Sequence, residues 1–244
     1  MSAASRAFAL SDVRQADGPV SILDCVSVEI PSGQITALIG PSGAGKSALL
    51  RLLNRLSDPV AGEITYSDRP IADYPIGELR RRVGFVFQTP VVFPGTVRDN
   101  LIVAAEIVGT PSDEIASRLE ESLRLAELDG ELADRDATRL SVGQKQRVNI
   151  ARALMTAPET LLMDEPTASL DPETADKLGR TIARLSAERG LTVVAATHRL
   201  AEAKELSDYM IMLDAGSVIE AGPTSELFER SSHPRLRAFL KSVG

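Results

Sequence analysis

The chain has 244 residues, 43% hydrophobic and 25% charged, with a net charge of −7, no Trp and a single Cys. This length supports one full hydrophobic core, or one core with a small insert. The acidic balance excludes broad nucleic-acid binding, which needs a basic face, and the lone cysteine excludes an internal disulfide and suits a reducing compartment.

Residues 5–34 and 60–71 are short alternating segments broken by Gly18-Pro19, Pro31-Ser32-Gly33 and Gly62. They predict an antiparallel β layer. Within it, Cys25 beside Val26, Val28 and Ile30 is expected to be a small core residue. Strand-like runs at 35–39, 83–87, 160–164, 192–196 and 209–213 alternate with helical patterns, which predicts an α/β fold with a mainly parallel sheet. Leu49, Leu52, Leu53 and Leu56 mark a helix after the first of these strands. Arg80-Arg81-Arg82 reads as a solvated helix end. Residues 97–156 carry helical periodicity, for example Ile115, Leu119, Ser122, Leu123 and Ala126, and predict a helical insert. Asp171 as N-cap, Pro172 in the first turn and Gly190 past the end bound a further helix. One domain is expected, with its core at about 1–88 and 157–230, a helical subdomain at 89–156 and a tail at 231–244 carrying a weak helical pattern. No stretch resembles a signal peptide and no apolar run reaches the roughly 18 residues of a membrane span, so any membrane role is expected to need a docking partner.

The chemistry concentrates at residues 40–47, Gly40-Pro41-Ser42-Gly43-Ala44-Gly45-Lys46-Ser47, which satisfy every fixed position of G-x-x-x-x-G-K-S/T. In that pattern glycines let backbone N–H groups turn toward an anion. The lysine reaches the β- and γ-phosphates, and the hydroxyl ligates Mg²⁺. The strand before it and the helix after it place a positive helix end under the phosphates. A nucleoside triphosphate is the ligand this specifies. Thr160–Glu165 is a buried-type strand ending in two acids, Asp164 and Glu165, one suited to Mg²⁺ through water and the other to orienting or deprotonating the attacking water. Leu140-Ser141-Val142-Gly143-Gln144 opens a helix with a hydroxyl and free N–H groups suited to a γ-phosphate. Thr197-His198 ends another strand. Gln88 ends the strand before a Pro-rich loop and is placed to touch Mg²⁺ and water.

In this order and spacing, the chain resembles the nucleotide-binding subunit of an ABC transporter over essentially its whole length. The resemblance implies a P-loop NTPase (RecA-like) core, a Walker A loop at 40–47, Q-loop Gln88, signature Leu140–Gln144, Walker B Asp164-Glu165, D-loop Ser169-Leu170-Asp171 and switch His198. It implies ATP and Mg²⁺, with the metal held by Ser47 and Gln88 and by Asp164 through water. It also implies head-to-tail pairing of two copies, in which Ser141, Gly143 and Gln144 of one close over the other's ATP. The partner is then a separate transmembrane permease docked near Val91, Val92, Phe93 and Pro94, with no direct nucleic-acid contact and a cytoplasmic location on the inner membrane face. The run Phe93–Leu101 is similar to the bacterial ATPases of iron-export and aluminium-tolerance systems, implying a metal ion or other small solute as cargo. The phosphate-import ATPases are the alternative. A non-transport ABC ATPase acting on nucleic acid or ribosomes is a rival, but long coiled-coil insertions and a second cassette are both missing. A P-loop kinase would leave Ser141–Gln144 and His198 without a role.

Three positions depart from the family pattern. Val142 replaces the first signature Gly, and Ala48 stands where a Thr often follows the Lys-Ser pair, so the nucleotide-binding run ends with one hydroxyl fewer. No aromatic residue lies between Phe8 and Tyr66, and the place expected for an adenine-stacking ring falls near Ala16-Asp17. A base–aromatic stack contributes about 1–3 kcal/mol. Without it, GTP is expected to compete with ATP at comparable concentration. Titrating both nucleotides checks this, and a strong ATP preference would refute it.

Overall fold

The computed structural model describes residues 5–231 and 233–242. Two sheets share one core. The first is antiparallel, in the order β2-β1-β4-β5, from β1 (Arg6–Asp17), β2 (Val20–Pro31), β4 (Ala61–Tyr66) and β5 (Arg69–Pro70). The second has six strands in the order β10-β9-β3-β8-β7-β6. It comprises β3 (Ile35–Ile39), β6 (Val83–Val86), β7 (Thr160–Asp164), β8 (Thr192–Ala196), β9 (Tyr209–Asp214) and β10 (Ser217–Pro223). All neighbours in it are parallel except β9 and β10, which pair antiparallel. That last hairpin was not legible beforehand. β3 and β7 are buried at every position, as strands covered on both faces must be. The parallel arrangement sets the ends of β3, β6, β7 and β8 along one edge, where ligands of open α/β sheets gather.

The helices are α1 (Lys46–Leu53), α2 (Ile76–Arg82), α3 (Val97–Ile107), α4 (Ser112–Leu125), α5 (Val142–Leu154), α6 (Pro172–Arg189), α7 (Leu200–Leu206), α8 (Thr224–Arg230) and α9 (Pro234–Ser242). α3, α4 and α5 form the helical insert. They pack a second hydrophobic cluster, including Val97, Leu101, Leu119, Leu123 and Val148, against Val86 and Met163 of the sheet. Asp171 caps α6 through Thr174 N at 3.0 Å, with Pro172 at its start and Gly190 left-handed past its end. In the expected tail, α9 buries Leu236, while Ser232, Val243 and Gly244 lie outside the described residues.

Three local expectations need correction. α1 ends at Leu53, so Leu56 falls beyond it and is exposed. Cys25 is exposed, not core: it is one residue out of phase with Val26, Val28 and Ile30, so a period of two turns it to the opposite face. Its Sγ accepts from Arg14 Nη2 at 2.7 Å. The arginines at the end of α2 are also not simply solvated. Arg80 donates to the carbonyls of Asn54 and Arg55, and Arg82 forms a two-pronged pair with Glu159, both bonds at 2.8 Å.

The Arg82–Glu159 pair ties the start of β6 to the start of β7. Glu159 N donates to Arg82 O, Thr192 N donates to Glu159 O, and Tyr66 donates its hydroxyl to the Glu159 carboxylate at 3.1 Å. Burial pushes the Tyr66 hydroxyl up to about 12, so it remains a donor. The Arg82 hydrogen bond holds the Glu159 carboxyl below its usual range. The stabilisation is therefore complete above the ordinary carboxylate range and is lost as pH falls through the lowered folded-state value. The pair is half-exposed and screened, so Glu159→Gln is expected to cost only about 0.5–1 kcal/mol at neutral pH. Denaturant titrations of both proteins should show that gap closing in acid.

Candidate nucleotide site

The phosphate loop is shaped by backbone contacts that only glycine permits. A Cβ on Gly40 would overlap the carbonyl oxygen of Leu213, and one on Gly45 would sit 2.6 Å from Leu23 Cδ2. Both positions have positive φ, and Gly45 is the left-handed N-cap of α1. Pro41, Ser42 and Gly43 face solvent, whereas Ala44 is buried and Ala48 packs partly into the core. The loop thus presents the N-terminus of α1 toward open space. Ala16 and Asp17 end β1, and neither carries a ring.

Lys46 is buried, and its ammonium donates to the carbonyls of Gly40 and Pro41 at 2.8 and 2.9 Å. Desolvation lowers its pKa, opposed by the negative charges of Glu165 and Asp164. A buried cation whose hydrogen-bond partners are neutral carbonyls is costly by itself and gains from an anion placed over the loop. Ser47 donates its hydroxyl to Asp164 Oδ1 at 2.7 Å. Hydroxyl, carboxylate and the Gln88 amide are hard oxygen donors, and this set fits Mg²⁺.

Glu165 takes the first position past β7 with φ of +46°, a strained conformation for a residue with a side chain. Its N–H still bonds Ala196 O at 3.0 Å, and Ala168 N closes the turn onto its carbonyl. The turn swings the carboxylate out of the strand line toward the neighbouring loops. Its Oε2 accepts from Gln88 Nε2 at 3.3 Å and meets His198 Nδ1 at 3.2 Å. Gln88, Glu165 and His198 are therefore one cluster, with Asp164 adjoining on the phosphate-loop side.

Ser141–Gln144 stands apart. Ser141 caps α5 through Gln144 N, and Gln144 returns a bond to Ser141 N at 3.0 Å. Val142 is exposed at the first helical position, so its Cβ strains nothing within this chain. Gly143 packs inward instead: a Cβ there would lie 2.8 Å from Thr174 Cγ2 and near Leu170. Among the described residues, no hydrogen bond joins 141–144 to 40–47. The Asp171 carboxylate serves as the α6 cap, and its bonds to Thr174 hold its pKa down.

Sequence reasoning missed the residues that hold the Gln88 loop. Buried Asn100 accepts from Phe93 N at 2.7 Å and donates to the carbonyls of Phe93 and Thr96. The Arg152 guanidinium stacks over the Phe93 ring at 5.0 Å. The legible signal was the Thr96-x-x-Asp99 capping box just ahead of Asn100.

A family profile described as ABC transporter matches residues 23–168. The chain belongs to the ABC transporter family. It is 40% identical over 237 residues to the methionine import ATP-binding protein MetN of Cereibacter sphaeroides, covering 96% of this chain and 67% of that one. It also superposes on CbiO1 of Clostridium perfringens, part of the ABC transporter complex CbiONQ, with a TM-score of 0.86, 31% identity and 93% and 92% of the two chains covered. A dimeric ATP-binding cassette in a post-hydrolysis state with ADP and Pi is matched with a TM-score of 0.77 at 31% identity, covering 89% of this chain and 98% of that one. The fold is that of an ABC ATPase domain, and the nucleotide is ATP, used with Mg²⁺. Among the described residues no helix is long and apolar enough to cross a membrane.

In this ABC ATPase the state of Lys46 gives a two-sided expectation. Lys46→Met should leave the nucleotide-free protein as stable or more stable, because it removes a buried charge. The same change should weaken ATP binding at least about tenfold by removing a charge-assisted bond to phosphate. Thermal melting with and without ATP reads both effects.

Proposed function

We propose that two copies of this chain close head-to-tail over ATP and that hydrolysis reopens them, driving a separate transmembrane permease. The supporting observation is the division of the chain into two incomplete faces. Residues 40–48 with Asp164 form a cradle open on one side. The capped start of α5, with Ser141 exposed, makes no hydrogen bond to that cradle in the same chain. In the proposed dimer Ser141, Gly143 and Gln144 supply N–H and hydroxyl groups to the other copy's γ-phosphate, and Asp171 lies beside that junction. The solved dimer matched above supports this pairing.

Within each site, Lys46 and the loop N–H groups hold the β- and γ-phosphates. Ser47 and Gln88 would hold Mg²⁺, with Asp164 acting through water. The metal would neutralise charge developing on the phosphate oxygens. Glu165 accepts a proton from the attacking water or orients it. Gln88 donates to Glu165 through Nε2, which leaves its amide oxygen free for the metal. His198 meets Glu165 through Nδ1, which leaves Nε2 to steady the γ-phosphate.

The permease is proposed to dock on a groove of about 570 Å³ between the core and the helical insert, lined by Phe85, Phe87, Phe93, Ile107, Arg80 and Arg81. Phe87, Phe93 and Ile107 are exposed there, and Val91 is exposed on the loop before Phe93, while Val92, expected to be exposed, packs against the insert. That position would place the ATPase on the inner membrane face through its permease. The domain boundaries are those read from the sequence. For the cargo we propose a small solute. The relative's name, methionine import, supports this coarse class, while the metal-ion reading and its phosphate alternative gain nothing from it.

The deciding variant is Glu165→Gln. It should bind ATP, lose hydrolysis by roughly two orders of magnitude, and accumulate as a dimer on size exclusion with ATP. Turnover at the wild-type rate would refute the role of Glu165.

A further inference from the structure

The strained turn at Glu165 is tied on both sides, and the second tie is a carboxylate that the hydrolysis scheme does not use. On the strand side, Glu165 N bonds Ala196 O at 3.0 Å. On the other side stands Glu202 in α7. Its Oε2 accepts from Thr167 Oγ1 at 2.9 Å and from Thr197 Oγ1 at 3.2 Å. Thr167 is two residues past Glu165, and Thr197 immediately precedes His198. Both threonines are buried, at 3% and 5% exposure, so their hydroxyls need a partner inside the protein. Thr197 Oγ1 already accepts from Arg199 N at 3.0 Å, which leaves its proton for Glu202.

One oxygen therefore joins the segment carrying Glu165 to the segment carrying His198. Thr167 also belongs to the turn that leads into Ser169–Asp171: Ala168 N bonds Glu165 O, and Leu170 N bonds Thr167 O, each at 3.1 Å. α6 closes the other side of Glu202, where Gly179 leaves room for Leu206 and where a Cβ would lie 4.0 Å from Glu202 Oε1. A left-handed non-glycine residue persists only where its surroundings over-determine it. The backbone bond before the turn and the Thr167–Glu202–Thr197 bridge after it meet that requirement.

We propose that Glu202 is a positioning residue for hydrolysis: by holding Thr167 and Thr197 on one carboxylate oxygen, it keeps Glu165 and His198 at their 3.2 Å separation. This deepens the reading of Glu165 and His198 as the hydrolysis pair and rests on it. Glu202 touches neither nucleotide nor water; it acts through the two threonines. ADP lacks the γ-phosphate that His198 is proposed to steady, so its binding on residues 40–48 is independent of Glu202.

Steady-state ATPase assays and ADP binding by the full chain test this with Glu202→Ala, Glu202→Gln, Thr167→Val and Thr197→Val. Glu202→Ala and each valine variant should lower kcat roughly tenfold or more, the scale set by misplacing a catalytic group, with affinity for ADP unchanged. Glu202→Gln keeps an oxygen that accepts two bonds and should retain most of kcat. Thr167→Val combined with Glu202→Ala should lose no more than Glu202→Ala alone. The near-isosteric valines give the answer even where the alanine variant folds poorly. Wild-type kcat in Glu202→Ala, or Gln and Ala losing kcat and ADP binding together, would overturn the proposal. Glu165→Gln, run alongside, separates two failures. If it is inert while Glu202→Ala is wild type, the tie alone falls. If it turns over ATP, the hydrolysis pair falls and this inference with it.

Discussion

A single carboxylate oxygen, Oε2 of Glu165, receives Gln88 from the end of β6 and His198 from the end of β8. It reaches both because its own residue leaves β7 in a left-handed turn. Had the strand continued straight, the side chain at 165 would alternate to the face opposite Asp164, and three loops would lose their common contact. The strain is local and is met by bonds on either side of the turn. The arrangement also divides labour between adjacent acids. Asp164 stays buried against Ser47 at the phosphate loop, while Glu165 is half-buried and turned toward Gln88 and His198.

The remainder of the molecule keeps that edge of the sheet in register. At the opposite ends of the strands, Arg82, Glu159 and Tyr66 lock β6 and β7 to the antiparallel layer. Backbone bonds carry the lock on to β8. At the near end, Asn100 and Arg152 hold the Phe93 segment, and Gln146 reaches Phe87 O from α5. The Gln88 loop is thereby mechanically joined to the helix that Ser141 begins.

The phosphate loop, the parallel strands, the α6 caps and the family were legible because each is local. Residues 40–47 state their own geometry, buried strands read as apolar runs, and Asp171, Pro172 and Gly190 punctuate a helix within one stretch of chain. Cys25 shows how a local reading fails: its neighbours were right, but its phase was wrong. Arg80 and Arg82 were misread for another reason, since their acceptors at Asn54, Arg55 and Glu159 lie far away in sequence. Gly143 was read for phosphate, and only its packing against Thr174 shows that its missing side chain also makes room for α6.

By itself, the order of residues determined a phosphate loop suited to a nucleoside triphosphate and the kind of sheet that carries it. Short-range sterics and hydrophobic periodicity suffice for that much. Tertiary structure alone decided that Gln88, Glu165 and His198 share one oxygen, that Glu202 bridges Thr167 and Thr197, and that the start of α5 stands apart from the loop at 40–47. Except for Thr197–Glu202, these contacts join segments tens of residues apart, and their distances depend on strand order and on one left-handed turn, neither of which has a local signature.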